Sequence, residues 1–359
     1  MEGSISLCIS FRINTEILTL TLEPLETDLY NKLKNILSTQ TQSDIVKYIG
    51  YCNSNCVSMS MIRRITLDEE TKKNPQLKLS DIQSLREWCE KQPHLPKIED
   101  SFLALFLHRN YYNVEFAKNT IENYYTTRTH LPELFCNRDP LVEKELQQAF
   151  KVTLFSPLSG VTNDGYTLMY ATLLDGDPSH FNLNATIKYI LMLSDIIYLT
   201  DGTNNGYVFI GNADKLSFGH IAKIRPLATK IALDYIQEAM PVRLKDLHVI
   251  NAPPAMELLM NIAKPFMKKE MIDMIHFHSS LESLSKYISI DALPNEAYGN
   301  GGSIQELNEI QIKRIEDYRE WFLQDEATGR VNEALRIGKS KSASDLFGVE
   351  GNFRKLDID

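Results

Sequence analysis

From residue 167 onward the chain alternates between short apolar runs and longer amphipathic stretches, and nothing else in it restricts the fold as strongly. Residues 167–174, 207–210, 247–251 and 274–279 have the length and composition of strands. Stretches of helical period separate them, at 185–199, 219–239 and 253–274. Successive parallel strands need long crossovers, which helices supply, so this order predicts an α/β fold with a mainly parallel sheet.

The region before the alternation reads as helical. SDIQSLREWCEKQ places Ser80 as an N-cap ahead of Ile82, Leu85, Trp88 and Cys89. A second helix over 100–108 carries Phe102, Leu103, Phe106 and Leu107, and a third over 114–127 carries Phe116, Ile121 and Tyr124. Together they predict a small all-helical unit over 61–150, followed by the α/β domain at 151–303. PNEAYGNGGS, at 294–303, is a turn-rich exit. A charged terminal helix over 304–325 and a polar, mobile tail over 340–359 make up the last segment, 304–359.

Residues 1–60 differ from the rest. They hold three of the five cysteines and a polar Thr/Gln/Ser patch at 38–43. A short helix is expected over 25–37. Met61 precedes the charged run IRRITLDEETKKNPQ, which reads like a natural N-terminus. Residues 1–60 are therefore expected to be an extension, or the product of an upstream start, outside the functional core.

A chain of 359 residues with net charge −9 argues against a general nucleic-acid binder, which carries a basic surface. Cys52 and Cys56 form the one close cysteine pair and lack the further ligands of a zinc site, so reduced thiols in a cytoplasmic protein are the simpler reading. The most apolar run, 187–199, is interrupted by Lys188, Ser194 and Asp195 and is too short to span a bilayer. A membrane role would be peripheral.

Five of the eleven methionines (Met256, Met260, Met267, Met271 and Met274) fall in PPAMELLMNIAKPFMKKEMIDM. Its polar residues Glu257, Asn261, Lys264 and Lys268 form one narrow helical stripe. The remaining arc is apolar and includes Met256, Leu259, Met260, Ile262, Phe266 and Met267. Pro265 kinks the segment and supplies a hinge. Two readings stay open: a core helix, or a mobile lid whose flexible methionines repack around a lipid.

The sequence holds no GxSxG elbow, Walker loop or GxGxxG, and no paired carboxylates in an apolar setting. His276 and His278 share one strand face, but a third ligand at suitable spacing is not visible, so hydrogen-bonded structural histidines are expected there and at His248. No metal or cofactor is implied. Arg243 and Lys245 form one positive cluster, and Lys264, Lys268 and Lys269 a second. They read either as solvated faces or as contacts to anionic lipid headgroups.

Five segments in register resemble the CRAL-TRIO family of lipid-transfer proteins, on the branch that includes tocopherol transfer and retinaldehyde-binding proteins. They are DSFLALFLHRNYYNVEFAKNTIENYY (100–125), MPVRLKDLHVINAP (240–253), AKPFMKK (263–269), IHFH (275–278) and LPNEAYG (293–299). The resemblance implies a helical N-terminal unit and an α/β domain whose sheet floors a closed apolar cavity, with residues 253–274 as its gate. It also implies ligand contacts at Tyr189, Leu193, Tyr207, Tyr235, Ile236 and Val242. Phosphoinositide contacts are implied at Arg243 and Lys245, with Lys268 and Lys269 nearby. Three positions depart from the basic pattern: Glu270, Met274 and Asn110 stand where basic residues are expected, with Arg109 beside the last. LPNEAYG carries one extra residue, and residues 211–215 read GNADK in place of an acidic residue and glycine.

The function implied is a non-enzymatic intracellular carrier that encloses one hydrophobic ligand, such as a tocopherol, retinoid, carotenoid or similar lipid, and exchanges it at a membrane surface. A lipid-sensing adaptor acting through the C-terminal helix and tail is the alternative from another class. A lipid esterase is a third, opposed by the missing nucleophile motif.

Overall fold

The structure, a computed structural model, describes residues 7–13, 16–22 and 62–347. The helix expected over 25–37, the pair Cys52 and Cys56, and Met61 lie outside them. The chain divides into two compact units, Met1–Ile62 and Arg63–Asp359. In the first, LCISFRI and EILTLTL alternate at the strand period and pair antiparallel as β1 (Leu7–Ile13) and β2 (Glu16–Leu22).

The second unit opens with six helices: α1 (Leu67–Lys73), α2 (Leu79–Glu90), α3 (Asp100–Arg109), α4 (Val114–His130), α5 (Pro132–Phe135) and α6 (Lys144–Val152). Thr66 and Glu69 form a reciprocal capping box on α1, and the Asn113 side chain caps α4. Ser80 is not the cap of α2. The helix starts one residue earlier, after the extended Lys78, and Ser80 lies inside its first turn. Helix α3 is apolar around most of its girth and is buried accordingly, with Leu103, Phe106 and Leu107 wholly inaccessible. Its neighbours include Ile121 of α4 and residues of the α/β part, so one core spans both.

The α/β part runs β3 (Thr153–Val161), β4 (Thr167–Leu173), α7 (Leu183–Thr200), β5 (Tyr207–Asn212), α8 (Phe218–Ile221), α9 (Pro226–Glu238), β6 (Leu244–Ile250), α10 (Ala255–Ala263), a 3₁₀ turn (Lys264–Phe266), α11 (Lys269–Asp273), β7 (Ile275–His278) and α12 (Leu281–Leu284). Strand order is β3-β4-β5-β6-β7. The pairs from β4 to β7 are parallel, and β3 joins the edge antiparallel to β4. The helix expected over 219–239 is two helices, because Pro226 cannot continue one and instead opens the next. The terminal helix is also divided, at Tyr318, into α13 (Ile304–Asp317) and α14 (Arg319–Thr328), and α15 (Ala343–Phe347) follows within the tail.

The two faces of the sheet differ. Leu168, Tyr170, Val208, Ile210 and Ile250 point to one side and pack against Leu284, Ile288 and Leu293. His248, His276 and His278 continue that side. His248 Nδ1 lies 3.0 Å from His278 Nε2, His276 bonds Asp246 at 3.0 Å, and the Tyr287 ring covers all three. They are hydrogen-bonded, as expected. Phe155, Phe209 and Leu247 point to the opposite face, where the packing is incomplete.

Candidate functional site

On that second face lies a cavity of about 410 Å³, within the range of small-molecule sites. The sheet forms its floor through Phe155, Phe209 and Leu247, with the two phenylalanine rings stacked 5.9 Å apart. Helix α7 supplies Ile187, Ile190, Leu191 and Ser194, at positions i, i+3, i+4 and i+7, which form one stripe. Ser194 Oγ is satisfied inside its own helix, on the Ile190 carbonyl at 2.8 Å. Helix α9 adds Ala232, Tyr235 and Ile236. Met271 and Met274 come from the Met-rich segment, and Met240 and Val242 from the approach to β6.

The expected ligand contacts divide evenly. Tyr235, Ile236 and Val242 line the cavity. Tyr189, Leu193 and Tyr207 are buried but do not. Tyr189 and Leu193 lie on the neighbouring stripe of α7, where Tyr189 packs edge-to-face on Phe150 at 5.1 Å. Tyr207 begins β5, about 7 Å along the strand from Phe209. The Tyr189 and Tyr207 hydroxyls are buried without hydrogen-bond partners, and burial raises the pKa of both. Burial also pushes the Tyr235 hydroxyl up to about 12. That hydroxyl is within 3.5 Å of the Arg128 guanidinium, on the side away from the cavity.

The Met-rich segment is a surface element. Of α10, only Ala255 and Ala263 are buried. Met256, Leu259, Met260, Ile262, Phe266 and Met267 are all half-buried, and none lines the cavity. The polar stripe Glu257, Asn261, Lys264 and Lys268 is exposed. The segment reaches the cavity after its kink, through Lys268, Glu270, Met271 and Met274. Ala263 and Met271 pack with Leu233 of α9, and Phe266 and Met267 rest against that group.

Polar groups gather at the cavity rim. Arg243 and Lys268 are there, together with Arg109, Tyr111 and Glu270. Lys268 pairs with Glu238. Lys245 does not line the cavity and lies 5.2 Å over the Tyr166 ring, while Lys269 is exposed at the start of α11. Arg109 donates to the main-chain carbonyls of Met240 and, at 2.6 Å, Gln237. Arg243 donates to the His108 carbonyl, and its guanidinium carbon lies 4.1 Å from the Tyr111 ring centroid. Burial lowers the pKa of both arginines. Burial, and then Arg243, push the His108 imidazole down to about 4. The Arg109 and Tyr111 contacts escaped the sequence reading, although Arg109 was visible beside the position where a basic residue was expected.

A buried ion-pair junction lies behind Tyr235. Arg128 holds Asp195 with two bonds of 2.9 and 2.8 Å, and Arg138 adds a third at 3.0 Å. Asp325 pairs with Arg128, Arg138 and Arg330. Arg128 and Arg138 are 1% exposed and Asp195 3%.

Fold and site thus define a mixed α/β domain with an apolar, ligand-sized cavity on one sheet face, entered past a polar rim and joined to a helical N-terminal unit. Comparison with known proteins agrees. The model of the CRAL/TRIO domain matches residues 152–299, and a model described as a Pinta-like UBA domain matches residues 74–145. The alpha-tocopherol transfer protein-like protein of Mus musculus is 26% identical over 262 residues, covering 71% of this chain and 76% of that protein. Clavesin-1 of Xenopus laevis is 25% identical over 237 residues, covering 64% of this chain and 70% of that protein. The crystal structure of Sfh5 aligns with 80% of this chain and 99% of that one, at 12% identity and a TM-score of 0.44. Residues 152–299 thus form a CRAL/TRIO domain, and the chain is similar over 71% of its length to an alpha-tocopherol transfer protein-like protein.

Proposed function

We propose that this protein is a non-enzymatic carrier that encloses one hydrophobic molecule and exchanges it at membrane surfaces. The observation that carries the reading is the cavity, whose floor and walls are phenylalanine, isoleucine, leucine and methionine while its charged groups stand at the rim. Such a site favours a largely hydrocarbon cargo, since each Å² of apolar surface taken from water stabilises the complex by about 25 cal/mol. A tocopherol, a retinoid, a carotenoid or a similar lipid meets that description. The name of the mouse relative favours the first. The half-buried apolar side of α10, with Lys264, Lys268 and Lys269 close by, suits transient contact with an anionic bilayer. Among the described residues no helix is long and apolar enough to cross a membrane. Arg243 and Lys268 at the rim are the groups best placed for a phosphoinositide headgroup.

Native mass spectrometry of protein purified from cells tests the reading. A single stoichiometric lipid adduct, lost on mild collisional activation, is expected. Protein that is uniformly empty, and stays empty after incubation with mixed cellular lipids, would remove the carrier reading.

A further inference from the structure

Two arms border the rim of the cavity, and they are secured differently. On the Met-rich side the Gln237 side chain accepts from the Lys268 backbone N–H at 2.7 Å and donates to the Phe266 carbonyl at 3.1 Å. Below it, Met271 and Ala263 are buried against Leu233. That arm is pinned by two hydrogen bonds and an apolar cluster. The opposite arm is the short connection between α3 and α4. It contains two consecutive non-glycine residues in the left-handed region, Tyr111 (φ 52) and Tyr112 (φ 64), a conformation that bulky side chains adopt only when their surroundings impose it.

Tyr112 is well secured. Its N–H bonds the Leu107 carbonyl at 2.7 Å, its ring meets His108 edge-on at 6.0 Å, and it packs on the buried core. Tyr111 is not. It is 68% exposed, and what holds its ring across the rim is the Arg243 guanidinium. Arg243 spends one nitrogen on the His108 carbonyl, and its Nε is buried with no hydrogen-bond partner. A guanidinium in that state gains from an aromatic face, though less than it would from a carboxylate.

We propose that Tyr111 is a shutter on the cavity: its ring, latched to Arg243, closes the rim between the helical unit and β6, and cargo enters and leaves on this side when the latch lets go. This rests on the carrier reading and adds to it a second opening across the rim from the Met-rich segment. Release of the latch frees the ring alone, because the Tyr111 and Tyr112 N–H groups stay bonded to the His108 and Leu107 carbonyls, so the moving part is one side chain.

The test uses the full chain loaded with Nile red, a neutral fluorophore that brightens in apolar surroundings, and follows its loss to phosphatidylcholine vesicles by stopped flow. Tyr111→Ala is expected to release the dye about three- to tenfold faster, with an unchanged melting temperature. Tyr111→Phe keeps the ring and should match the wild type. Arg243→Lys keeps the charge but loses the flat guanidinium, and should release as fast as Tyr111→Ala. A folded Tyr111→Ala protein that releases at the wild-type rate overturns the shutter and leaves the carrier reading standing. An Arg243→Lys protein that releases to phosphatidylcholine at the wild-type rate and is altered only toward vesicles containing phosphatidylserine also overturns it, since Arg243 would then serve the headgroup and not the ring. A wild-type protein with no saturable dye uptake would defeat the carrier reading itself.

Discussion

Arginine is used in two ways about Tyr235. Behind it, Arg128 and Arg138 meet Asp195 and Asp325 in a junction almost closed to solvent. In front, at the cavity rim, Arg109 and Arg243 bond only main-chain carbonyls and an aromatic ring. The first arrangement neutralises charge with charge. Removing one partner strands the others, so it behaves as a lock. The second leaves a formal positive charge satisfied by neutral dipoles, each bond of which is modest and replaceable. A carrier must hold its architecture while its entrance yields, and the two chemistries sit where those demands differ.

The largest expected effect follows directly. Asp195→Ala leaves two buried guanidinium groups short of a carboxylate and should lower stability by about 3–5 kcal/mol, a fall of roughly 10 °C in melting temperature. Arg109→Ala at the rim should lose only about 1–2 kcal/mol. Equal losses in the two variants would erase the distinction between lock and rim.

Acid should separate them next. At Asp325 burial pulls the carboxyl upward, but Arg128, Arg138 and Arg330 outweigh it and hold it down at about 2. Asp325 therefore keeps its charge until the pH falls through that value. His108 at the rim is depressed from 6.5 to about 4. Its contribution is complete above the unfolded value, fades below 6.5 and is lost as the pH falls through 4; it amounts to at most about 3 kcal/mol. His248 is depressed to about 4 as well, by burial and then by His278. Melting curves between pH 7 and 4 should decline, and His108→Asn should flatten part of that decline. Hydrogen exchange should quicken first around residues 108–113. A junction that opened before the rim on acidification would reverse the assignment.

Filling the cavity is a smaller perturbation of the fold. Ala232 lines the open space, so Ala232→Trp should change stability by about 1 kcal/mol or less while reducing lipid loading at least about tenfold. The same enlargement in a packed core is usually worse, by about 1–3 kcal/mol. Calorimetry and lipid extraction on one preparation give both numbers, and undiminished loading would show that cargo lies elsewhere.

The smallest effect belongs to Tyr235, which touches both regions. Its ring lines the cavity while its hydroxyl faces Arg128 across 3.5 Å. Tyr235→Phe should lower stability by less than about 1 kcal/mol and leave cargo affinity intact. A marked loss of affinity would mean that the hydroxyl serves the ligand rather than the junction.

The sequence made the parallel part of the sheet readable because its strands are compact apolar runs bounded by helical segments. Strand β3 hid from that test: TLFSPLSGV contains a proline, two serines and a glycine, tolerated because it lies on the edge. Helix α7 shows why the site was read only in part. It is buried on opposite sides, so Ile187, Ile190, Leu191 and Ser194 are no more conspicuous in the sequence than Tyr189 and Leu193 on the next stripe. Periodicity finds a buried helix but does not say which stripe meets a void. Asp195 stood out only as an interruption in an apolar run, since its arginine partners come from α4 and the segment after α5. The pairing of Tyr111 with Arg243 had no local signature at all, because it joins the helical unit to the approach of β6.

Strand β3 has a consequence for how the molecule behaves in company. An open sheet has two borders, and each is a template on which another chain can add a strand. Here one border carries Pro157, which has no N–H to offer, and its pairing slips between Pro157 and Val161. The other is β7, only four residues long. Neither gives a stranger a long, regular row of donors and acceptors. A protein with half-exposed methionines and an apolar hollow is otherwise a candidate for self-association, and its sheet borders are built so that copies meeting in a crowded solution do not zip together.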